Sequence, residues 1–166
     1  MELVVSRPEH RPALEAFLGH WNSLWVARRD ALVSALDHPA VLAWTDGELR
    51  GVATFVVDGD DCELLTLHCK DRLSGVGSAL LAAVEDLAVD AGCRRLWVVT
   101  TNDNVEALRF YQRRGFRLSV LRPGAVDRSR ELLKPGIPRS GAHGIPLRDE
   151  LELEMTLPDP APRSPL

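Results

Sequence analysis

One stretch, Arg72-Leu73-Ser74-Gly75-Val76-Gly77-Ser78, links two segments of opposite character. An apolar run at residues 64–67 comes shortly before it, and an alanine- and leucine-rich run at residues 79–91 follows. This order predicts a strand, a glycine turn and a helix. Glycines let a backbone approach a ligand, and a helix start offers unpaired N–H groups with a partial positive charge. We therefore expect an anion site here, although an ordinary tight turn would need the same glycines.

The familiar nucleotide-binding motifs do not match this stretch. A Rossmann fingerprint requires a third glycine and an acidic residue about 20 positions later, and Leu80 occupies the place of that glycine. A P-loop requires Gly-Lys followed by Ser or Thr. The anion site therefore belongs to another class.

A second motif follows further along the chain and consists of Asn104, Ala107, Tyr111, Gly115 and Phe116. Together the two motifs resemble the GNAT superfamily of N-acetyltransferases, whose members carry Q/R-x-x-G-x-G/A and then N-x-x-A-x-x-x-Y-x-x-x-G-F. The resemblance is close over residues 62–118. It implies a single α/β domain, residues 1–157, with acetyl-CoA as co-substrate. The implied sheet is mixed and mostly antiparallel, is split at the cofactor site and carries helices on both faces.

The resemblance also implies how the cofactor is held. The turn would bind the pyrophosphate through backbone N–H groups, and the strand before it would bulge and leave residues 65–69 free to bind the pantetheine arm. An N–H near Leu67 or His68 would stabilise the developing oxyanion. Asn104 would contact the cofactor, or would act only as the N-cap of the following helix. The implied cofactor residues are Leu67, His68, Cys69, Arg72, Leu73, Ser74, Gly75, Val76, Gly77, Ser78 and Asn104.

Tyr111 is the predicted catalytic acid. By resemblance its phenol meets the sulfur of the cofactor, and a phenol of pKa ~10 can protonate a leaving thiolate of pKa ~8–9. It lies about two helical turns after Asn104 and so faces the same side. The alternative is a tyrosine packed beside Phe110 with its hydroxyl at the surface.

Glu63 is the predicted general base, because an amine of pKa ~10 arrives protonated. Superfamily members often place a glutamate on this strand. Residues 63, 65 and 67 would share one face, so that Glu63 lies ~13 Å from Leu67, a distance that suits a water relay. The alternative is a solvated charge beside Asp60 and Asp61.

Other titratable residues receive weaker predictions. Glu152 and Glu154 alternate with apolar residues and predict mainly a solvated sheet face. With Asp60, Asp61 and Glu63 they would form an acidic field that favours a cationic acceptor. His68 at a strand end is expected to be neutral and hydrogen-bonded.

The remaining pattern predicts a mixed order of elements. Strands are expected at residues 2–6, 41–44, 51–57, 62–69, 96–100, 116–121 and 150–157. Helices are expected after Arg7-Pro8-Glu9 and at residues 28–36, 75–91 and 104–114, with one or two helical turns between 125 and 133. Trp21 and Trp25 are expected to pack in the core, although the resemblance implies the alternative that their region, residues 20–37, forms a mobile wall over the acceptor site. The proline-rich segment 123–146 would serve as a lid or a homodimer contact, and the tail, residues 158–166, would be disordered.

Composition excludes several classes of protein. The chain has 166 residues, 45% apolar and 27% charged, and a net charge of −4, which favours one domain and disfavours nucleic-acid binding. No apolar run approaches the ~20 residues of a membrane span, and the N-terminus does not resemble a signal peptide. Cys62, Cys69 and Cys93 lack metal-site spacing. We expect a cytoplasmic enzyme without a metal.

These observations predict transfer of an acetyl group to the primary amine of a small molecule. The attack would be direct, in a ternary complex, because no Cys-His or Ser-His-Asp pairing indicates a covalent intermediate. Two alternatives stay open: an acceptor that is a protein N-terminus or lysine, and an acyl-CoA sensor without turnover.

Overall fold

The computed structural model describes residues 1–72 and 74–159. Within them the strands are β1 (Glu2–Val5), β2 (Trp25–Arg28), β3 (Ala31–Ser34), β4 (Ala40–Thr45), β5 (Glu48–Asp58), β6 (Asp61–Cys69), β7 (Arg95–Thr101), β8 (Arg117–Arg122) and β9 (Glu150–Thr156). The α-helices are α1 (Arg11–His20), α2 (Val76–Asp90), α3 (Val105–Gln112) and α4 (Ala125–Leu132). Leu73 and residues 160–166 lie outside the described part, and with them most of the tail expected to be disordered.

Seven strands form the main sheet, in the order β1-β4-β5-β6-β7-β9-β8. Its pairs are antiparallel except β6 with β7, which run parallel. The parallel pair is connected through α2, as a parallel connection requires. The predicted α/β fold with a mixed, mostly antiparallel sheet is confirmed.

An apolar cluster covers each face of the sheet. On one side, which we call the α2 face, α2 and Tyr111 of α3 pack on β4, β5, β6 and β7. On the other, the hairpin face, α1 and the small sheet β2-β3 pack on β4, β5 and β6. The prediction of helices on both faces is therefore confirmed.

The sheet opens between β6 and β7. Their pairing covers Asp61 to Leu64 on β6 and Arg95 to Val98 on β7, although both strands continue beyond it. From residue 99 onward β7 pairs only with β9 in the recorded register. The backbone of residues 65–69 therefore has a free edge towards β7, and this is the expected split.

A β-bulge sits at the start of the split. Thr54 of β5 pairs with Thr66, but the next residue, Phe55, pairs with Leu64, so Leu65 is the extra residue. Leu65 consequently packs in the cluster of the hairpin face, whereas Leu67 packs on the α2 face. The prediction that residues 63, 65 and 67 share one face is wrong, because the bulge interrupts the alternation of side chains.

Residues 28–36 are predicted as a helix, but residues 28–34 instead belong to the β2–β3 hairpin and Ala35–Asp37 form a short 3-10 helix. The turn is made by Arg29 and Asp30, both with positive φ (52° and 58°). Trp21 and Trp25, expected in the core, are 38% and 53% exposed, so that prediction is also wrong. Trp21 precedes the hairpin and Trp25 is the first residue of β2, so both rings lie at the surface beside the start of the hairpin.

Candidate active site

The turn before α2 has the geometry of a helix-start anion site. Gly75 adopts φ 81° and ψ −9°, a left-handed conformation that favours glycine, and α2 begins at the next residue. The first N–H groups of an α-helix have no intrahelical acceptor. The hydroxyl of Ser74 donates to the carbonyl of Asp71 over 3.0 Å and closes the turn, while the guanidinium of Arg72 is exposed and 3.9 Å from Glu106. An anion could therefore approach from solvent.

Gly77, at the start of α2, lies where the end of β6 approaches α3. A Cβ at Gly77 would lie 3.5 Å from the sulfur of Cys69 at the end of β6 and 3.5 Å from the ring of Phe110 on α3. These are ordinary contact distances, so β6 and α3 lie close together at this point. The free strand edge of residues 65–69 fits an extended chain with hydrogen-bonding amides, the chemistry of a pantetheine arm.

The second motif forms α3, whose Phe110 faces Gly77 near the end of β6. The side chain of Asn104 accepts a hydrogen bond from Ala107 N–H over 3.1 Å, so the predicted N-cap is present. Tyr111 is 6% exposed and packs edge-on against Phe110 with ring centroids 5.2 Å apart. Burial raises the pKa of its phenol, and the nearby Cys69 adds to the rise. The phenol therefore stays protonated in neutral solution, and its burial disagrees with the alternative of a surface hydroxyl.

The comparisons with known proteins agree with this geometry. Residues 8–116 match the acetyltransferase (GNAT) family. Protein YdhI of Bacillus subtilis (strain 168) is 38% identical over 136 residues, which cover 81% of this chain and 84% of YdhI. The chain belongs to the GNAT acetyltransferase family. It is therefore an acyltransferase, and its co-substrate is acetyl-CoA.

Solved structures show the same fold. The IAA acetyltransferase of Bacillus cereus superposes with a TM-score of 0.68 at 20% identity, covering 94% of this chain and all of that one. A GNAT family acetyltransferase of Elizabethkingia anophelis with acetyl-CoA bound superposes with a TM-score of 0.63 at 19% identity, covering 93% and 98%. At this level of identity the likeness concerns the fold, and the acceptor must be argued from this GNAT chain itself.

On the hairpin face, Glu63 is held by an arginine that the sequence did not indicate. The Nε of Arg28 donates to Oε1 over 2.8 Å and its Nη2 donates to Oε2 over 2.7 Å. The side chain of Glu63 is only 4% exposed, so the alternative of a solvated edge charge is wrong. Its role as a base stays a prediction, one that this pairing disfavours because both carboxylate oxygens already accept a guanidinium bond.

The solvated face expected at Glu152 and Glu154 is present only in part, because the side chain of Glu154 is 39% exposed whereas Glu152 is buried. Glu150 and Glu152 are 2% and 4% exposed. Glu152 accepts hydrogen bonds from Arg95 over 2.6 Å and from Arg122 over 2.7 Å, and Glu154 also binds Arg95. The acidic field expected from the sequence is therefore largely neutralised by arginines, which offset the cost of burying carboxylates.

A cavity of about 200 Å³ lies at the end of this face. Its polar walls include Glu150, Thr101 at the end of β7, and Ser129 of α4. Because the end of β7 no longer pairs with β6, it borders the split on one side and the cavity on the other. Sequence reasoning missed Glu150 and Ser129, since neither belongs to a motif and the segments that meet here are far apart in the chain.

The segment after β8 borders this cavity through Lys134, Ile137 and Leu147. The Nζ of Lys134 donates to the carbonyls of Asn22 and Trp25, each over 2.9 Å. Arg130 donates to the carbonyls of Pro138 and Leu147, each over 2.7 Å. The segment is thus anchored on its own chain. Contacts within one chain account for its length, so no homodimer is needed to explain it.

His68 has the neutral character that the sequence predicts. Burial lowers its pKa to about 4, its Nε2 lies 2.8 Å from the hydroxyl of Ser23, and the ring of Trp21 stacks on it at 5.1 Å. This contact ties the segment before β2 to the end of β6. Among the described residues no cluster of three or more His, Cys, Asp or Glu could hold a metal ion, and no described helix is long and apolar enough to cross a membrane.

Proposed function

We propose that the protein transfers the acetyl group of acetyl-CoA to the primary amine of a small molecule by direct attack in a ternary complex. The observation that carries this proposal is the arrangement of β7. The end of β7, which no longer pairs with β6, lies between the split, which suits the cofactor, and a cavity of about 200 Å³ that is lined by a buried carboxylate. Acetyl-CoA and an amine bound beside this strand end would react with each other directly, without a covalent enzyme intermediate.

Acetyl-CoA supplies an activated acetyl group as a thioester, and the chain supplies its positioning. The α2 start, including Gly75 to Ser78, would hold the phosphates, and the free edge of β6 at Leu67, His68 and Cys69 would bind the pantetheine arm. Asn104 would keep α3 in place through its cap. Tyr111 would donate its proton, or a strong hydrogen bond, to the departing sulfur.

The small volume of the cavity, about 200 Å³, supports a small acceptor over a protein side chain. The cavity is bounded by residues of the segment before β2, by α4 and by Leu147 of the segment after β8. Ligand sites for drug-sized molecules usually measure about 300–1,000 Å³, so this one suits a compact amine. A peptide N-terminus is the second candidate, because a chain end can enter a cavity that a chain interior cannot.

A panel of acceptors tests the proposal. Purified protein is supplied with acetyl-CoA and with propylamine, 3-amino-1-propanol, benzylamine, 1,3-diaminopropane, an alanine-terminated peptide and a blocked lysine peptide. Release of free thiol and the mass of each product are measured. We expect acetylation of at least one compact amine and none of the lysine peptide. Binding of acetyl-CoA without turnover of any acceptor would instead favour a sensor, and exclusive acetylation of the peptide terminus would favour a protein N-acetyltransferase.

A cytoplasmic location belongs to the same proposal. Cys62, Cys69 and Cys93 are free thiols in the described structure, the state that a reducing compartment maintains. Fractionation of cells that produce a tagged full chain would check it.

A further inference from the structure

Glu150 differs from the other glutamates of the hairpin face in its partners. Glu63 and Glu152 each bind a guanidinium. The recorded partner of Glu150 in the described structure is the backbone N–H of Arg29, which donates to Oε2 over 3.1 Å. Its carboxylate therefore has oxygen capacity left for a ligand, even though the residue is 2% exposed.

The charges around Glu150 come from each element packed on it. Arg29 and Asp30 belong to the hairpin turn, Arg122 to β8 and Arg128 to α4, while Lys134 lines the same cavity. Burial raises the pKa of Glu150, and this effect outweighs the lowering by the Arg29 N–H and by Arg122. A raised pKa makes the carboxylate a better proton acceptor near neutral pH.

A second, independent feature of the cavity is Ser129. The residue is 2% exposed, and its hydroxyl has no hydrogen-bond partner in the described structure. A buried polar group without a partner costs roughly 1–3 kcal/mol, so such groups commonly serve a ligand or water. Ser129 lines the same cavity as Glu150, and the apolar Val126 and Ile137 contribute to the same lining.

The position of Glu150 relative to the split completes the geometry. Glu150 lies directly opposite Thr101 in the β7–β9 register. Thr101 is the last residue of β7, beyond the point where β7 leaves β6. Directly opposite residues of an antiparallel pair point to the same face, so Glu150 lies on the hairpin face beside the end of β7, the strand that borders the split. Glu63 instead lies within the closed part of the β6–β7 pair, opposite Trp97.

We infer that Glu150 binds the ammonium group of the acceptor and removes its proton, and that Ser129 binds a second polar atom of the same molecule. The acceptor class is a compact primary amine with one further hydrogen-bonding group. This inference rests on the proposed function and assigns the acceptor side of that same site.

The proton balance of the step is complete. The ammonium gives one proton to the carboxylate of Glu150, which later releases it to water. The neutral nitrogen forms a bond to the acetyl carbon as the carbon–sulfur bond breaks. The nitrogen then loses a second proton, and the leaving sulfur gains one from Tyr111. The second proton restores the phenol of Tyr111, so the two transfers balance. The products are the acetamide, the free thiol and one proton in solution.

Glu150→Gln is the decisive variant, with Glu154→Gln on the same strand and face as its matched control. We expect Glu150→Gln to lower the turnover of the best acceptor by about 10²–10⁴-fold, the usual effect of losing a positioned base. Acetyl-CoA affinity, measured by calorimetry, should be unchanged in both variants, and Glu154→Gln should stay within about threefold of the parent in turnover, far from the loss of a base.

The pH profile separates a base from a structural residue. A base acts only as a carboxylate, so kcat/KM of the parent should fall as the pH drops through the raised pKa of Glu150. In Glu150→Gln that limb should disappear, and the rate should instead rise about tenfold per pH unit as free amine accumulates below its pKa of ~10. A limb that persists in Glu150→Gln and vanishes in Glu63→Gln would overturn the inference.

A binding measurement keeps the inference testable if Glu150→Gln does not fold or if no acceptor turns over. Ser129→Ala removes only the unpartnered hydroxyl. We expect it to weaken calorimetric binding of 3-amino-1-propanol by up to about tenfold, as for one hydrogen bond, and to leave binding of propylamine unchanged. Equal binding of both amines in parent and variant contradicts the assignment of Ser129. If Glu150→Gln acetylates an amine as fast as the parent, Glu150 is not the general base. The proposed acetyl transfer to a small amine would still stand.

Discussion

The α2 face and the hairpin face of the sheet offer their ligands different kinds of groups. On the α2 face the groups are mainly backbone: the helix start after Gly75 and the free edge of residues 65–69. On the hairpin face they are side chains, held by ion pairs such as Arg28 with Glu63. A backbone site depends on the space that glycines leave open, whereas a side-chain site fails when one partner is removed. The two faces should therefore respond to different substitutions.

Tyr111→Phe addresses the one side chain on which the α2 face is proposed to depend for chemistry. The ring and its packing against Phe110 remain, so stability and acetyl-CoA affinity should change little. Turnover should fall by about 10²–10⁴-fold, because the positioned proton is lost. Single-turnover kinetics and calorimetry measure the two effects. A rate within about threefold of the parent, well short of the loss of an acid, would mean that the thiolate leaves unaided or with water as the acid.

Arg28→Ala tests whether the buried ion pair with Glu63 stabilises the hairpin face. It leaves the carboxylate of Glu63 buried without its partner, and removal of one partner of a buried pair costs about 3–5 kcal/mol. Urea unfolding should show that loss. Arg50 offers a matched control, because its pairs with Glu48 and Asp71 lie at the surface, where ion pairs contribute little. If both variants unfold at the same urea concentration, the Arg28–Glu63 pair does not stabilise the face.

The α2 face could be predicted in some detail from the sequence. The turn, the start of α2, the cap at Asn104 and the position of Tyr111 all follow from residues that lie close together in the chain, so each leaves a local pattern. Even the split could be anticipated from resemblance. The bulge at Leu65 could not be located, because it depends on register with β5.

The hairpin face could not be predicted, because its contacts join distant residues. Arg28 and Glu63 are 35 positions apart, and Arg29 and Glu150 are 121 apart. The hairpin was mistaken for a helix because its turn is Arg29-Asp30, whereas the turns with positive φ that strands favour usually contain Gly or Asn. The sequence pattern around Glu152 predicts a solvated side chain. The arginines that pair with it, Arg95 of β7 and Arg122 of β8, are distant in the chain and leave no local pattern.

Gly51→Ala tests how closely the α2 face is packed. A Cβ at Gly51 of β5 would lie 2.6 Å from Cγ1 of Val76 and 2.9 Å from Cδ1 of Leu80, so these side chains, or α2 with them, must shift. Overpacking of this kind costs about 1–3 kcal/mol, and the shift should also weaken acetyl-CoA binding at the start of α2. Urea unfolding and calorimetry measure the two effects.

Gly77→Ala is the control for that substitution. Its Cβ would meet Cys69 and Phe110 only at ordinary contact distances, 3.5 Å or more, so the free energy of unfolding should change little. Equal unfolding midpoints for the two glycine variants would show that α2 moves away from β5 without cost, contrary to the close contact at Gly51.

The smallest expected effect concerns charge on the hairpin face. The sequence suggested an acidic field that prefers a multiply charged acceptor, but Arg28, Arg95 and Arg122 neutralise Glu63, Glu152 and Glu154. The carboxylate left for an acceptor is then Glu150, which one ammonium group satisfies, and the cationic Arg122, Arg128 and Lys134 nearby oppose a second positive charge. A second positive charge on the acceptor should therefore add little.

Propylamine and 1,3-diaminopropane provide the comparison, since they share a chain length and differ by one amine. Their kcat/KM values should differ by less than about fivefold at low salt, corresponding to the ~1 kcal/mol upper range of exposed charge interactions. The difference should shrink further at 0.15 M salt, about where the Debye length is 8 Å. A preference for the diamine of a hundredfold or more at low salt, removed by added salt, would show that the arginines do not neutralise the face. Such a result would also mean that substrate displaces Arg28 from Glu63, which would restore Glu63 as a candidate base.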